Sequence, residues 1–269
     1  MKLSISRETL LNNLRHMSAV VEKRTSIAIL SNVRLNAMEN QLELTATDND
    51  ISIQGTSEAF VETQGTTTVS AHKLFEIISK IPEGVMVGMD LKDARLAITA
   101  GKAKFSLACL AADAFPDMTN VEDGKAFTMK AADLAKALAK TQFAASSDDT
   151  RAYLTGVYMH VAEADKENVL RFVATDGHRL AKVDQPMPEG AADMAGMILP
   201  RKCVSELRKL AEDAKDIKLT TSENKIQAEV TNGTGTMQLT SKVIDGTFPD
   251  YTRVIPSGNT RKLEVDAAE

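Results

Sequence analysis

The chain has 269 residues, of which 43% are hydrophobic and 26% charged, and this composition is typical of folded globular proteins and excludes a disordered or fibrous chain. Its formal net charge of −5, from 32 Lys and Arg against 37 Asp and Glu, excludes nucleic-acid binding by an overall basic body. No apolar run is long enough for a signal peptide or a membrane span, so we expect a cytoplasmic protein without membrane association.

The first half of the chain begins with a strand and a helix. Residues 3–5 alternate apolar and polar side chains, as in a short strand, and Ser6 suits the N-cap of a helix. Apolar side chains then recur at helical spacing, at Leu10, Leu14, Met17 and Val21. Alternating runs at 33–37 and 42–46, separated by Glu39-Asn40, predict a pair of strands.

A second helix and a hairpin complete this half. Residues 71–81 have helical spacing, and the helix is expected to end before Pro82. Alternating residues 96–98 and 105–107, on either side of Gly101, predict a closing hairpin. Helices and antiparallel strands therefore follow one another within about 120 residues, which is the order of an α+β domain.

The second half repeats this order of elements. A short strand is expected at 127–129, before a helix, and a second helix at 201–214 directly after Pro200, which favours the first turn of a helix. Alternating residues 226–228 and 237–239 predict another closing hairpin. The pattern of the first half is thus present again, element by element.

Sequence landmarks show the same repetition. They are Leu3 with Phe127, Ala46-Thr47-Asp48 with Ala174-Thr175-Asp176, Lys73 with Lys202, and Phe-Pro-Asp at 115–117 and at 248–250. The offsets rise steadily from 124 to 133, as small loop insertions would produce, whereas chance matches would scatter. Two copies of one unit are therefore predicted.

The predicted fold class is α+β, with tandem domains that each pack two helices on antiparallel sheets. Glu122-Asp123-Gly124 is the expected linker, which gives a first domain over 1–121 and a second over 122–259. The segment 263–266 is similar to the start of both copies, although a polar tail is the alternative. We expect residues 260–269 to begin a third, incomplete domain of a truncated three-repeat protein.

The two cysteines and four histidines lack the spacing of a common metal or redox site. Cys109 and Cys203 are too far apart for a CxxC motif, and each lies in an apolar stretch that suits a small buried side chain. The histidines form no HExxH pattern. We therefore expect no metal and no cofactor.

ATDGHRLA occurs at 174–181, LPRK at 199–202 and TFPDY at 247–251, in that order within a tandem repeat. Together these three motifs resemble the beta subunit of bacterial DNA polymerase III, the beta sliding clamp family. The resemblance implies three domains per protomer and two protomers joined head to tail into a homodimeric ring around duplex DNA. It implies a non-catalytic processivity factor, nucleoid-associated, that tethers clamp loader, DNA polymerases and repair proteins. This chain, with two such domains, is expected to be mainly monomeric.

A ring would explain how an acidic protein handles DNA, because topology holds the duplex and strong phosphate contacts would hinder sliding. The polar faces of the four predicted helices carry candidate DNA-facing cations: Arg15, Lys23, Arg24, Lys73, Lys80, Lys136, Lys140, Arg201, Lys202, Arg208 and Lys209. For any single lysine, a solvated helix face is the alternative. The resemblance also implies DNA contacts from Arg24 and from the loop with Asp149, Thr150, Arg151 and Tyr153.

The resemblance further implies a cleft for short linear peptides on the second domain and an edge strand for contact between protomers. The cleft residues are Leu154, Thr175, Gly177, His178, Arg179, Leu180, Pro249, Arg253 and Val254. The edge-strand residues are Lys102, Lys104, Phe105 and Leu107. A row of unpaired strand amides and carbonyls is a template for pairing with another chain.

Two other readings remain open from the residues alone. Asp176 and His178 near a hydroxyl residue could serve a hydrolase, although no GxSxG elbow, GxxxxGK[ST] loop or dinucleotide loop is present. The chain could also be an unrelated α+β binding module, which would predict no structural equivalence between its halves.

Overall fold

The computed structural model describes residues 1–266 except 23, 24, 119, 120, 122, 123, 234, 257, 259, 262 and 265. The first half forms β1 (Lys2–Ser6), α1 (Arg7–Val20), β2 (Asn32–Met38), β3 (Gln41–Thr47), β4 (Ile51–Glu58), β5 (Phe60–Thr63), β6 (Gly65–Ser70), α2 (Ala71–Lys80), β7 (Met86–Lys92), β8 (Arg95–Ala100) and β9 (Ala103–Leu110). The second half forms β10 (Lys125–Lys130), α3 (Ala131–Thr141), β11 (Val157–Ala164), β12 (Glu167–Thr175), β13 (Leu180–Pro186), β14 (Met197–Leu199), α4 (Arg201–Glu212), β15 (Asp216–Thr221), β16 (Lys225–Asn232) and β17 (Gly235–Lys242). Five short 3-10 segments lie at Ala28–Ser31, Ala112–Ala114, Gln142–Ala144, Asp149–Leu154 and Tyr251–Val254.

Each half contains two four-stranded antiparallel arrays with the same strand order. In the first half the orders are β1-β7-β8-β9 and β4-β3-β2-β6, and in the second half they are β10-β15-β16-β17 and β13-β12-β11-β14. Counting along the chain with β5 set aside, each strand of one half matches the strand in the same place of the other. The α+β class is confirmed, and the equivalence of the halves that a repeat requires is present.

The halves are joined by a strand pairing. β17 runs antiparallel to β4, from Thr236 opposite Thr56 to Ser241 opposite Ile51. Within the first half, β9 meets β6 only at its end, where Cys109 lies opposite Val69. These links make one sheet of thirteen strands among the described residues, beside the separate sheet of β11 to β14.

The helices form because their apolar side chains recur at helical spacing, so that one face of each helix packs on the sheets beneath it. The Ser6 hydroxyl accepts the backbone N–H of Thr9 at 3.1 Å, which caps α1 as the sequence predicts. Leu10, Leu14 and Met17 are fully buried, and each contributes about 1.5–3 kcal/mol by leaving water. α1 contacts α2 and α4, and α4 contacts α3, so the four helices form one continuous row in the order α2, α1, α4, α3.

The two halves differ at one sheet edge. β5 pairs with β1 in the first half, whereas among the described residues of the second half no strand lies at the equivalent edge of β10. There Gly190, with φ +88°, lies so close that an added Cβ would be 2.9 Å from the Ala126 carbonyl oxygen. A close-packed turn therefore covers part of the β10 edge in place of a strand.

The expected elements occur with small shifts in their bounds. The helix predicted at 201–214 ends at Glu212, and Pro200 precedes its first residue as the cap. Two residues of the expected linker, Glu122 and Asp123, lie outside the described residues, as does Val265 of the expected third copy. No helix of the described chain is long and apolar enough to cross a bilayer.

Candidate functional site

A cavity of about 400 Å³ lies at the end of the second half. Its lining includes eight of the nine residues predicted for the cleft: Leu154, Thr175, Gly177, His178, Arg179, Leu180, Pro249 and Val254. Asp250 and Tyr251 also line it and were not predicted, although both belong to the TFPDY motif. Arg253 is absent from the lining, because its side chain is 84% exposed and points to its own ion pair with Asp250.

The cavity has an apolar floor and an exposed apolar mouth. A small cluster separate from the main core lies beneath it and contains Leu154, Val173, Ile198, Phe248 and Tyr251. Val254 at the mouth is 68% exposed. Phe248 stacks on Tyr158 with ring centroids 4.9 Å apart, which fixes the segment that leads into Pro249. The floor is therefore apolar, as suits a pocket for hydrophobic side chains.

A turn between β12 and β13 forms one wall. The Thr175 hydroxyl donates to the Arg179 carbonyl at 2.8 Å and accepts the Gly177 N–H at 3.1 Å. The Asp176 carboxylate accepts the N–H groups of His178 and Arg179 at 2.9 and 3.0 Å. These backbone bonds, followed by the Arg179 side chain, lower the pKa of Asp176 to about 2.

The first half contains the same turn between β3 and β4. The Thr47 hydroxyl donates to the Ile51 carbonyl and accepts the Asn49 N–H, and the Asp48 carboxylate accepts the N–H groups of Asp50 and Ile51. Asn49 has φ +79°, where Gly177 has φ +90°. The matched Ala-Thr-Asp triplets thus fold identically in hydrogen-bond pattern, which supports the repeat at the level of single atoms.

A network of polar side chains bonds the Tyr251 hydroxyl behind the cavity. The His160 Nδ1 donates to the Val161 carbonyl at 2.8 Å, so its Nε2 accepts the Tyr251 hydroxyl at 2.9 Å. Arg171 donates to the same hydroxyl at 3.4 Å and holds Asp184 with two bonds of 2.6 and 2.9 Å. Burial lowers the pKa of His160, and Arg171 lowers the pKa of Asp184.

Three turns around the cavity share an Asp-x-x-Arg pattern. Asp148 pairs with Arg151, Asp176 with Arg179 and Asp250 with Arg253, each with an Oδ2 to Nε distance of 3.0 Å. In each turn the other carboxylate oxygen accepts the backbone N–H two residues on, at 3.1, 2.9 and 3.2 Å in chain order. Each arginine therefore has its Nε fixed by the aspartate of its own turn.

The row of helices carries most of the predicted DNA-facing cations. Five are exposed on α1, α2 and α3, namely Arg15, Lys73, Lys80, Lys136 and Lys140. Lys80 pairs with Glu76 at 2.8 Å. Tyr153 is exposed, whereas Arg151 is half-buried and also donates to the Asp176 carbonyl at 3.5 Å. Lys23 and Arg24 lie outside the described residues.

The cations predicted on α4 are engaged in bonds that the sequence did not reveal. Lys202 is only partly exposed and binds Asp48 at 2.5 Å and Glu22 at 3.2 Å, both in the other half. Arg201 donates to the Ser146 carbonyl at 2.6 Å. Lys209 pairs with Glu206 at 2.8 Å, and Arg208 lies 3.7 Å from Glu212. Lys202 thus acts at the junction of the halves, where β17 meets β4.

The predicted protomer-interface residues lie on an open strand edge. Lys102 is in the turn before β9, and Lys104, Phe105 and Leu107 are on β9, whose ladder with β8 extends from Ala103 to Ala108. Among the described residues, β9 pairs on its other side only near Cys109 and Leu110. The stretch from Ala103 to Leu107 therefore presents unpaired backbone groups.

The hydrolase alternative lacks its geometry in the described part of the chain. Asp176 bonds the backbone N–H of His178, and no carboxylate or hydroxyl of the described residues bonds the His178 ring. A catalytic relay needs the base held by a third group. Within those residues there is also no group of three potential metal ligands.

Two family models match the chain. The model described as "DNA polymerase III beta subunit, N-terminal domain" matches residues 1–119, and "DNA polymerase III beta subunit, central domain" matches residues 128–250. A beta sliding clamp of Caulobacter vibrioides strain NA1000 is 43% identical over 269 residues, covering 99% of this chain and 71% of the relative. One of Rickettsia bellii is 36% identical over 270 residues, covering 99% and 69%.

Solved structures of similar proteins have the same fold. A Caulobacter crescentus pol III beta structure is 43% identical with a TM-score of 0.90, covering 97% of this chain and 70% of that one. A DnaN sliding clamp of Bartonella birtlesii bound to griselimycin is 40% identical with a TM-score of 0.90, covering 97% and 69%.

Proposed function

The chain belongs to the DNA polymerase III beta subunit family, the beta sliding clamps, and from that premise we propose that it tethers partner proteins to duplex DNA through the cavity of its second half. The observation that carries the proposal is the convergence of eight sequence-implied residues, from three separate segments, on one cavity of about 400 Å³. We also propose that residues 1–121 and 122–259 are two clamp domains.

The cavity suits a short peptide with hydrophobic anchors. Leu154, Leu180, Pro249 and Val254 offer apolar walls, and the turn at 175–179 offers a polar rim that can orient a peptide backbone. Burying two anchor side chains would contribute about 3–6 kcal/mol before the entropy cost of ordering the peptide. Binding of moderate strength suits a site that the clamp loader, polymerases and repair proteins would occupy in turn.

The row of helices is the proposed DNA-facing surface. Arg15, Lys136 and Lys140 are exposed there and have no ion-pair partner among the described residues. A few exposed cations on an acidic protein would give weak contacts that do not depend on base sequence. Such contacts allow sliding, and in a closed ring of clamp domains association with the nucleoid would follow from encircling the DNA.

The repeat suggests how protomers close a ring. β17 is equivalent to β9 and β4 is equivalent to β13, and the observed junction pairs β17 with β4. The open edges of β9 and β13 would then each accept the matching strand of a further clamp domain, antiparallel and in the same register. Head-to-tail joining of protomers through β9 follows from this rule, since each open edge would pair with the unlike edge of the neighbouring protomer.

The tethering role needs no catalytic step. We propose that the chain acts as an accessory subunit of the polymerase without catalytic residues of its own, and that Asp176 and His178 build the cleft wall. Hydrolytic turnover that depends on His178 would contradict this role and favour the hydrolase.

Titration of a labelled clamp-binding peptide from a polymerase tests the cleft. Replacing His178 or Pro249 with Ala should weaken binding about threefold to thirtyfold, because each removes part of the cavity wall. Phe60→Ala is the matched control, since Phe60 is 65% exposed on β5 in the other half. Unchanged affinity in both wall variants, or an equal loss in the control, would remove the cleft assignment.

A further inference from the structure

The Arg179 side chain is held at the cavity rim in a fixed orientation. Its Nε bonds the Asp176 carboxylate at 3.0 Å, and its guanidinium carbon lies 5.7 Å from the centre of the Phe143 ring. Phe143 is 58% exposed, although burial is usual for so large an apolar side chain. An ion pair and an aromatic platform therefore restrict Arg179 before any ligand binds.

The three Asp-x-x-Arg turns differ in what their arginines can still bind. Arg151 uses a terminal nitrogen on the Asp176 carbonyl at 3.5 Å, and Arg253 does not line the cavity. Arg179 lines the cavity, and no acceptor among the described residues bonds its terminal nitrogens Nη1 and Nη2. Only this arginine of the three offers both terminal donors to a ligand in the cavity.

The Asp176 carboxylate beside Arg179 already has its hydrogen-bond partners. The Asp176 carboxylate accepts two backbone N–H groups and the Arg179 Nε, and its pKa is lowered to about 2, so it stays ionised and bonded within its own turn. The guanidinium edge with Nη1 and Nη2 is the geometry that binds a carboxylate with two parallel hydrogen bonds. A neutral amide has a single acceptor oxygen, so it cannot form this pair of parallel bonds.

We propose that Arg179, supported by Phe143 and Asp176, is a carboxylate receptor at the rim of the cleft and selects peptides with an acidic group next to their apolar anchors. This specificity rests on the proposed peptide-binding function of the cleft. The carboxylate could be an Asp or Glu side chain or the free C-terminus of the peptide. Ordering of Arg179 before binding lowers the entropy cost of the new contact.

The test uses the 269-residue chain and the labelled clamp-binding peptide as parent. Asp and Asn are placed in turn at each non-anchor position, and the C-terminus is prepared as free acid and as amide. At one position, or at the C-terminus, the carboxylate form should bind about fivefold more tightly than its neutral counterpart, which corresponds to about 1 kcal/mol at a partly exposed site. The position that responds identifies the source of the carboxylate.

Substitutions assign the preference to Arg179. Arg179→Lys keeps the charge and loses the paired donors, and Phe143→Leu loses the platform, so each should reduce the preference to less than twofold while the Asn peptide still binds. Phe60→Leu is the matched control for Phe143→Leu and should leave the preference intact. Arg253→Lys tests the other exposed arginine near the cavity. If Arg253→Lys loses the preference for the carboxylate form and Arg179→Lys keeps it, the assignment to Arg179 is overturned.

Other outcomes separate the two proposals. Equal binding of carboxylate and neutral forms at every position would overturn the carboxylate receptor and leave the cleft in place. Failure of the parent peptide to bind the unaltered chain would overturn the cleft and the receptor together.

Discussion

At the scale of single residues, Tyr251 connects the floor of the cleft to the interior. Its ring packs on Phe248 and lines the cavity, while its hydroxyl is bonded by His160 and Arg171. A buried hydroxyl without partners would cost about 1–3 kcal/mol, so this network keeps the floor ordered. Any change in the charge of His160 therefore acts on the cleft through one shared hydroxyl.

His160 makes stability depend on pH. Its pKa is lowered in the folded state by burial and, less strongly, by Arg171, while Asp184 and the Val161 carbonyl oppose that shift. The unfolded chain then binds more protons than the folded chain, so the stabilising effect of a neutral His160 is full above pH 6.5 and is lost as pH falls towards the lower folded pKa. His160→Gln removes this dependence.

Thermal unfolding between pH 7.5 and 5.5 checks this prediction. Over that interval the melting temperature of the unaltered chain should fall by more than the melting temperature of His160→Gln. Equal losses in the two proteins would show that protonation of His160 is not linked to folding.

At the scale of elements, local contacts were predictable and distant ones were not. The hairpin of β8 and β9 follows from alternating side chains and from Gly101, whose φ of +58° suits the turn, and all of this lies within twenty residues. The pairing of β17 with β4 joins segments far apart in sequence. Alternating apolar and polar residues indicate a strand, but they do not indicate which strand it pairs with. Lys202 illustrates the same limit, because its partner Asp48 lies 154 positions away.

The residues that line the cavity were predictable for a different reason. Its residues were assigned by resemblance to whole motifs, and eight of the nine meet around the cavity. Arg253 was assigned in the same way, but its side chain is largely exposed in an ion pair with Asp250 and does not line the cavity. Phe143 was missed because a single phenylalanine after a helix has no sequence pattern that marks it as exposed.

The pairing of β17 with β4, which joins the two halves, gives a second prediction, at Gly235. A Cβ there would collide with the Thr56 carbonyl oxygen, and φ +143° disfavours any other residue. Gly235→Val should destabilise the chain by about 2–3 kcal/mol, because it strains the start of β17 where that strand meets β4. Denaturant unfolding, with hydrogen exchange of the β4 amides, measures both the loss and its location.

Gly233 provides the matched control two residues away. An added Cβ at Gly233 meets nothing within 4 Å, so Gly233→Ala should change stability by less than about 0.5 kcal/mol. Similar losses in both variants, or unchanged exchange in β4, would contradict the role of Gly235 at the junction.

At the scale of the whole molecule, the halves are held by bonds of several kinds around one strand pairing. Besides the β17–β4 ladder, Lys202 binds Asp48 and Glu22, and Lys242 binds Asp50 at 3.0 Å. His16 on α1 lies 3.2 Å from Asp213, the residue that directly follows α4. These contacts fix the order of the helices in their row, and we propose that the exposed cations of both halves share one surface on it.

That shared surface should control how DNA binding depends on salt. Lys136 and Lys140 lie one helical turn apart on α3, are exposed, and have no ion-pair partner among the described residues, so both can approach phosphates. The slope of log K against log salt is negative. If each lysine contacts one phosphate, replacing both with Gln should make that slope shallower by about 1.8, since each lost contact removes about 0.9. Lys166→Gln is the control, because Lys166 is exposed in the turn between β11 and β12 and lies on none of the four helices. Fluorescence anisotropy of a labelled duplex across a range of low salt concentrations gives the slopes. An unchanged slope in the double variant, or an equal decrease in the control, would place the DNA on another surface.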